Sequence, residues 1–230
     1  MAFSGVPGSF KGLRTIIWRL ILGSLPDETA EWQASLDSNL ATYEQFKKEL
    51  IVNPQIQDEK QKAQAAAMMD HPLSRSQNSV WNTYFKDQEI WDEIEKDVKR
   101  TRTEMQFFKQ ATDPARNVSA EDKARLDKQA ETKKADLKAM DLKLYIECHA
   151  DILHRVLFIY AKLNPGIKYI QGMNEVLAVI YYCYLNPDEE GEPIIDRKYL
   201  ESDLFFSFTN IMREMKDGFL RELDKEKTGI

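Results

Sequence analysis

Two short stretches carry the side chains best suited to act on something bound. In the first, Ile94-Glu95-Lys96-Asp97-Val98-Lys99-Arg100-Thr101, an acid precedes an arginine by three residues and a threonine by four. At helical spacing Asp97 and Arg100 share a side, so the acid can hold the guanidinium in one rotamer at a helix end. The same spacing is also that of an ordinary solvated ion pair, worth a few tenths of a kcal/mol. In the second stretch, Lys168-Tyr169-Ile170-Gln171-Gly172-Met173-Asn174-Glu175, a glutamine and a glycine stand at the mouth of an apolar helix. Gly172 suits a place where backbone approaches a ligand or another chain. The plainer alternative is a helix entry whose Gln171 and Asn174 satisfy local backbone donors.

The elements needed to position these residues are helices throughout. Leu13, Ile16, Ile17, Leu20 and Ile21 mark a short buried helix that ends at Gly23 and Pro26, with Arg14 and Arg19 in structural roles. A packing helix capped by Asp27 or Thr29 carries Trp32, Leu36, Leu40, Tyr43 and Leu50 along one stripe. The aromatic passage Val80–Trp91 leads into the Asp97–Arg100 helix as a core anchor. Leu144, Cys148, Ile152, Val156, Leu157, Ile159, Tyr160 and Leu163 mark a long buried helix before Pro165-Gly166. Val176, Leu177, Ile180, Tyr181 and Tyr184 continue behind Gln171, and Phe205, Phe208, Ile211, Met212 and Met215 give a last amphipathic helix. No strand-like alternation is sustained, so the expected fold class is all-α. Between the core blocks, Ala111–Lys143 is rich in Lys, Asp, Glu, Gln and Ala and reads as a charged excursion from the surface.

Composition narrows the function classes. Hydrophobic residues make up 43% of the 230 and charged residues 30%, the proportions of a globular chain. A formal charge of −6 provides no general field for collecting nucleic acid. The two cysteines, Cys148 and Cys183, fall within apolar helical patterns and imply no disulfide scaffold. His149 and His154 are five residues apart and make no metal-ligand spacing with them. No segment approaches the roughly 20 apolar residues of a membrane span. The N-terminus has no signal-peptide pattern, and a reducing, cytoplasmic setting is the expectation.

Together, in this order, the two stretches resemble the paired motifs of the TBC domain, the family of GTPase-activating proteins for Rab GTPases. Ile94, Asp97, Arg100 and Thr101 match the first motif, and Tyr169, Gln171, Gly172 and Met173 the second. Gly5-Val6-Pro7 with Leu13, Arg14 and Trp18 resembles the family's opening helix. One departure is that Arg102-Thr103 follows where the family has an aromatic residue and a proline, which makes Arg102 a second candidate arginine.

The resemblance implies a TBC-type helical lobe spanning 1–230, with an insertion near 111–143 and further helices of the family domain falling beyond residue 230. It implies an activator acting in trans, with no hydrolytic activity of its own, in which Arg100 and Gln171 are the catalytic arginine and glutamine fingers. Asp97, Thr101, Tyr169 and Gly172 would support them. The implied partner is a Rab-family GTPase in its GTP form, which brings its own GTP and magnesium, so the chain needs no cofactor. Contact with membranes would be indirect, through the lipidated GTPase, with recruitment to vesicle membranes and a place in vesicle trafficking. The alternative is a non-catalytic helical module that grips a GTPase or another partner.

Overall fold

A computed structural model describes residue 5 and residues 12–51, 80–112, 147–185 and 193–228, with side chains from residue 84 in the third helix and to residue 215 in the last. Six α-helices are described: α1 (Leu13–Ile21), α2 (Trp32–Leu50), α3 (Val80–Arg100), α4 (His149–Leu163), α5 (Met173–Leu185) and α6 (Leu200–Thr228). Single 3-10 turns, Thr29–Glu31, Gln106–Lys109 and Arg197–Tyr199, lie between them. Among the described residues there is no strand, only an isolated antiparallel bridge between Ala111 and Cys148. The fold is all-α, as the periodicity predicts.

Helix α4 is the axis of the packing. Leu153, Val156, Leu157 and Ile159 are fully buried on different sides of it, because α2, α3, α5 and α6 all pack against it. Each such side chain contributes about 1.5–3 kcal/mol on burial. The helix starts at His149, after Cys148, which its apolar pattern places inside it, while Leu144 of that pattern lies outside the described residues. Cys148 is extended and serves as the N-cap, its amide donating to Asp151 Oδ2 at 2.7 Å. Cys148 therefore stands outside the helical apolar pattern, whereas Cys183 lies within α5.

The two histidines among the described residues, His149 and His154, are packed into the core. Burial pushes His149 down to about 4, its ring stacks on Phe107, and Nδ1 lies 2.6 Å from the Tyr181 hydroxyl. His154 Nε2 donates to the Trp91 carbonyl at 2.9 Å.

Two departures from the apolar patterns concern the ends of α1 and α2. Ile21 belongs to the apolar stripe of α1 yet is 69% exposed, while Arg19 is buried. The reason is a partner far along the chain, for Arg19 Nε donates to Asp203 Oδ2 of α6 at 2.8 Å and its guanidinium covers the Tyr184 ring. A buried charge is tolerated when it is paired. Neither Asp27 nor Thr29 caps α2. The Thr29–Glu31 turn runs directly into it, and no side chain bonds the first amides.

The charged excursion expected over Ala111–Lys143 lies outside the described residues except for Ala111 and Thr112, and the description resumes at Glu147. There Thr112 N–H donates to the Glu147 carbonyl at 2.9 Å beside the Ala111–Cys148 bridge. Glu147 is in turn held by Arg155 Nη2 at 2.7 Å. The described residues on either side of that stretch are therefore neighbours.

Candidate functional site

The last turn of α3 and the loop before α5 meet. Thr101 closes α3 by donating its hydroxyl to the Asp97 carbonyl at 2.9 Å. Arg102 follows in a left-handed conformation, φ 43°, and turns the chain away. On the other side, the Asn164 amides cap α4 through the Tyr160 carbonyl, and Lys168 turns at φ 62° to carry Tyr169 inward. Gly172 has φ 103°, a region that disfavours any residue with a Cβ, and it lets the loop enter α5 at Met173.

Asp97 is the meeting point. It is buried, and its two oxygens face two different motifs: Oδ1 accepts from Arg100 Nη2, and Oδ2 accepts from the Tyr169 hydroxyl at 2.7 Å. Burial, and then the Asp97 carboxylate itself, hold the Tyr169 phenol well above its ordinary pKa, so it stays protonated and donates. The Arg100 side chain is 59% exposed, so the acid fixes one edge of the guanidinium while the rest reaches solvent. Gln171 is exposed two residues beyond Tyr169.

The site residues therefore divide by setting. Arg100 and Gln171 stand outward, Asp97, Thr101 and Tyr169 are buried behind them, and Gly172 forms the hinge. Tyr169 is nearly covered, and its hydroxyl points to Asp97.

Two participants are absent from the sequence reading's supporting set. Asn174, 4% exposed, donates to Thr101 Oγ1 at 2.8 Å and accepts from the Gly172 amide at 3.1 Å. The local half of that arrangement is the helix-entry role expected of it, whereas the bond to Thr101 crosses to the other motif. A signal was available: Asn174 lies three residues before Leu177 and four before Ala178, on the buried face of an apolar helix, where a polar group requires a partner. Glu175 is the second, pairing with Arg102 Nε at 2.8 Å. Arg102 is thus tied back across the same junction.

Among the described residues no group of three or more His, Cys, Asp or Glu side chains is arranged to hold a metal. None of the described helices is long and apolar enough to cross a membrane.

This helical arrangement has a solved counterpart. The crystal structure of the Ypt/Rab-GAP domain of Gyp1p superposes with a TM-score of 0.55, covering 95% of this chain and 51% of that one. At 18% identity the likeness concerns the fold alone. In sequence, residues 122–228 match the Rab-GTPase-TBC domain, a span that holds Gln171 and begins downstream of Arg100. TBC1 domain family member 13 of Mus musculus is 35% identical across 100% of this chain and 64% of its own length, and that of Homo sapiens is 34% identical with the same coverage. Human TBC1 domain family member 5 is 30% identical over 94% of this chain and 24% of its own length. The chain is thus similar to TBC domain proteins over its whole length, and it spans 64% of the member 13 relatives.

Proposed function

We propose that this chain activates GTP hydrolysis by a Rab-family GTPase, supplying Arg100 and Gln171 to the nucleotide site of the GTP-bound partner. Phosphoryl transfer needs charge stabilisation and a placed water, and an activating protein has little covalent chemistry to perform. Arg100 would neutralise charge on the transferring group, and Gln171 would orient the attacking water. GTP and magnesium come with the partner, so the chain carries no cofactor, works in the cytoplasm and reaches vesicle membranes through the lipidated GTPase. The observation that supports this reading best is the shared Asp97 carboxylate, which bonds the arginine of one motif and the tyrosine next to the glutamine of the other.

A binding module without catalytic effect is favoured by a different observation. Both arginines of the junction are already paired, Arg100 with Asp97 and Arg102 with Glu175. Single-turnover phosphate release from a panel of GTP-loaded Rabs separates the two readings. Activation predicts that some Rabs respond, and that Arg100→Ala loses acceleration on the order of 10³-fold, the scale of an arginine finger. Arg100→Lys and Gln171→Ala should fall with it, because lysine lacks the planar fork. Arg102→Ala should have the smaller effect. Rab binding with no acceleration by the unaltered chain would favour the module, and loss confined to Arg102→Ala would transfer the arginine role to Arg102.

A further inference from the structure

We infer that Asn174 is a positioning residue that holds the arginine-bearing turn and the glutamine-bearing loop in register, each end of its amide serving one of them. This rests on the activation reading for its consequence in catalysis, but its geometry stands independently.

The chemistry of the two neighbours dictates the residue. The Thr101 hydroxyl has one proton and gives it to the Asp97 carbonyl at 2.9 Å, so toward Asn174 its oxygen can only accept. The Gly172 amide can only donate. A side chain between them must therefore offer a donor on one side and an acceptor on the other. Asn174 does so with Nδ2 at 2.8 Å from Thr101 Oγ1 and Oδ1 at 3.1 Å from the Gly172 nitrogen, and that pairing fixes which way the amide faces. Nδ2 also lies 3.5 Å from the Asp97 carbonyl, and Oδ1 3.2 Å from the Tyr169 hydroxyl. The Tyr169 proton belongs to Asp97, the closer and charged acceptor, at 2.7 Å.

An aspartate here would present only acceptors and would bury a second negative charge beside Asp97. An alanine would leave the Gly172 amide without its acceptor. The amide is buried, so it acts through the loops and has no surface to offer a partner. Asp97 ties Arg100 to Tyr169, and Asn174 adds a second tie one turn along, between Thr101 and Gly172. Two ties between the same two segments fix their relative angle as well as their separation.

The test uses the intact chain and asks whether a change on one side is felt on the other. Thr101→Val keeps the shape and removes the hydroxyl. The Thr101 hydroxyl bonds to Asp97 and Asn174 and not to Gly172 itself. The expected result is faster hydrogen exchange at the Gly172 amide, by about tenfold, with protection in the α4 core unchanged and with Thr101→Ser restoring the slow rate. Asn174→Ala should expose the same amide directly, whereas Asn174→Asp keeps an acceptor for it and loses the bond to Thr101.

With a responsive Rab, Thr101→Val and Asn174→Ala should lower the saturating rate of phosphate release by about tenfold to a hundredfold, the scale of a small misplacement, and leave the half-saturating Rab concentration within about twofold. Unchanged exchange at Gly172 in Thr101→Val overturns the coupling. A loss that appears in the half-saturating concentration instead of the saturating rate overturns the positioning role in favour of docking. If the unaltered chain accelerates no Rab, the activation reading fails, and the exchange measurement still decides whether Asn174 couples the loops.

Discussion

Among the described residues the same arginine–aspartate pair occurs twice, in settings that differ in how the charges are enclosed. In the core, Arg19 and Asp203 are 2% and 0% exposed. Asp203 uses only Oδ2, and its Oδ1 has no hydrogen-bond partner among the described residues. At the site, Asp97 is also buried but both its oxygens are bonded, while its arginine stands out in water. The core pair joins α1 to α6 and leaves its carboxylate half satisfied, whereas the site pair answers its carboxylate fully and leaves the guanidinium available. Burying an ion pair costs desolvation on both partners. Burying only the acid, with a phenol as second donor, fixes the arginine without surrounding it.

The contrast is broken most strongly in the core. Asp203→Ala strands the Arg19 guanidinium and should lower unfolding free energy by about 3–5 kcal/mol, measured by denaturant titration. Replacing the pair together, Arg19→Met with Asp203→Leu, should recover most of that loss. If the single substitution costs less than the exposed pair does, the core pair is not what holds α1.

Next comes Asp97→Asn, which removes the ion pair and weakens the Tyr169 bond. It should cost about 1–3 kcal/mol in the same titration, and, under the proposed activation of a Rab, it should reduce acceleration by much more than its effect on binding.

A third expectation concerns acid. His149 has a folded value of about 4 against an ordinary 6.5, so its contribution is complete above 6.5 and is lost as pH falls toward 4. Burial lowers His154 as well, with the same sign. Asp203 runs the other way: burial raises it from 3.8 to about 6, so its contribution is complete below 3.8 and lost as pH rises through 6. The histidines and Asp203 oppose one another between pH 4 and 6. In that window His149→Phe should lose less stability on acidification than the unaltered chain, and Asp203→Asn should lose more. Equal slopes in all three would mean that these groups do not govern the acid response.

The smallest stability effect belongs to Arg100→Ala. An arginine more than half exposed contributes little through its ion pair, so the denaturation midpoint should shift by no more than about 0.5 kcal/mol equivalent. A large loss there would make Arg100 a structural residue and remove the contrast altogether.

These two pairs also mark what could be read from the sequence. Asp97 and Arg100 are three residues apart on one helix, and such local spacing is visible without a fold. The all-α class and the helices about Ile152–Leu163 and Leu177–Tyr184 were equally open, because burial on several sides leaves few polar positions. Arg19 was not. Its partner is 184 residues away, and the apolar stripe of α1 says which side is greasy without saying what lies opposite, so Ile21 ends up in solvent. The start of α4 was missed for a local reason. Cys148 fits an apolar helical spacing, but the Asp151 side chain takes its amide and makes it a cap. The site was half legible: Tyr169 and Asp97 could be named as supports, but their bond joins residues 72 apart, and the Asn174–Thr101 bond joins residues 73 apart.

The clasp at Ala111 and Cys148 bears on how much the chain between its ends can vary. Thr112 and Glu147 are bonded although 35 positions apart, and Arg155 secures Glu147 to α4, whose own anchors lie on the core side. A closed loop loses entropy only with the logarithm of its length, about 0.6 kcal/mol for each doubling. By that measure, doubling the number of residues between the two bonded ends costs about 0.6 kcal/mol through closure, and the bonds joining Thr112, Glu147 and Arg155 are the anchor against which that cost is set.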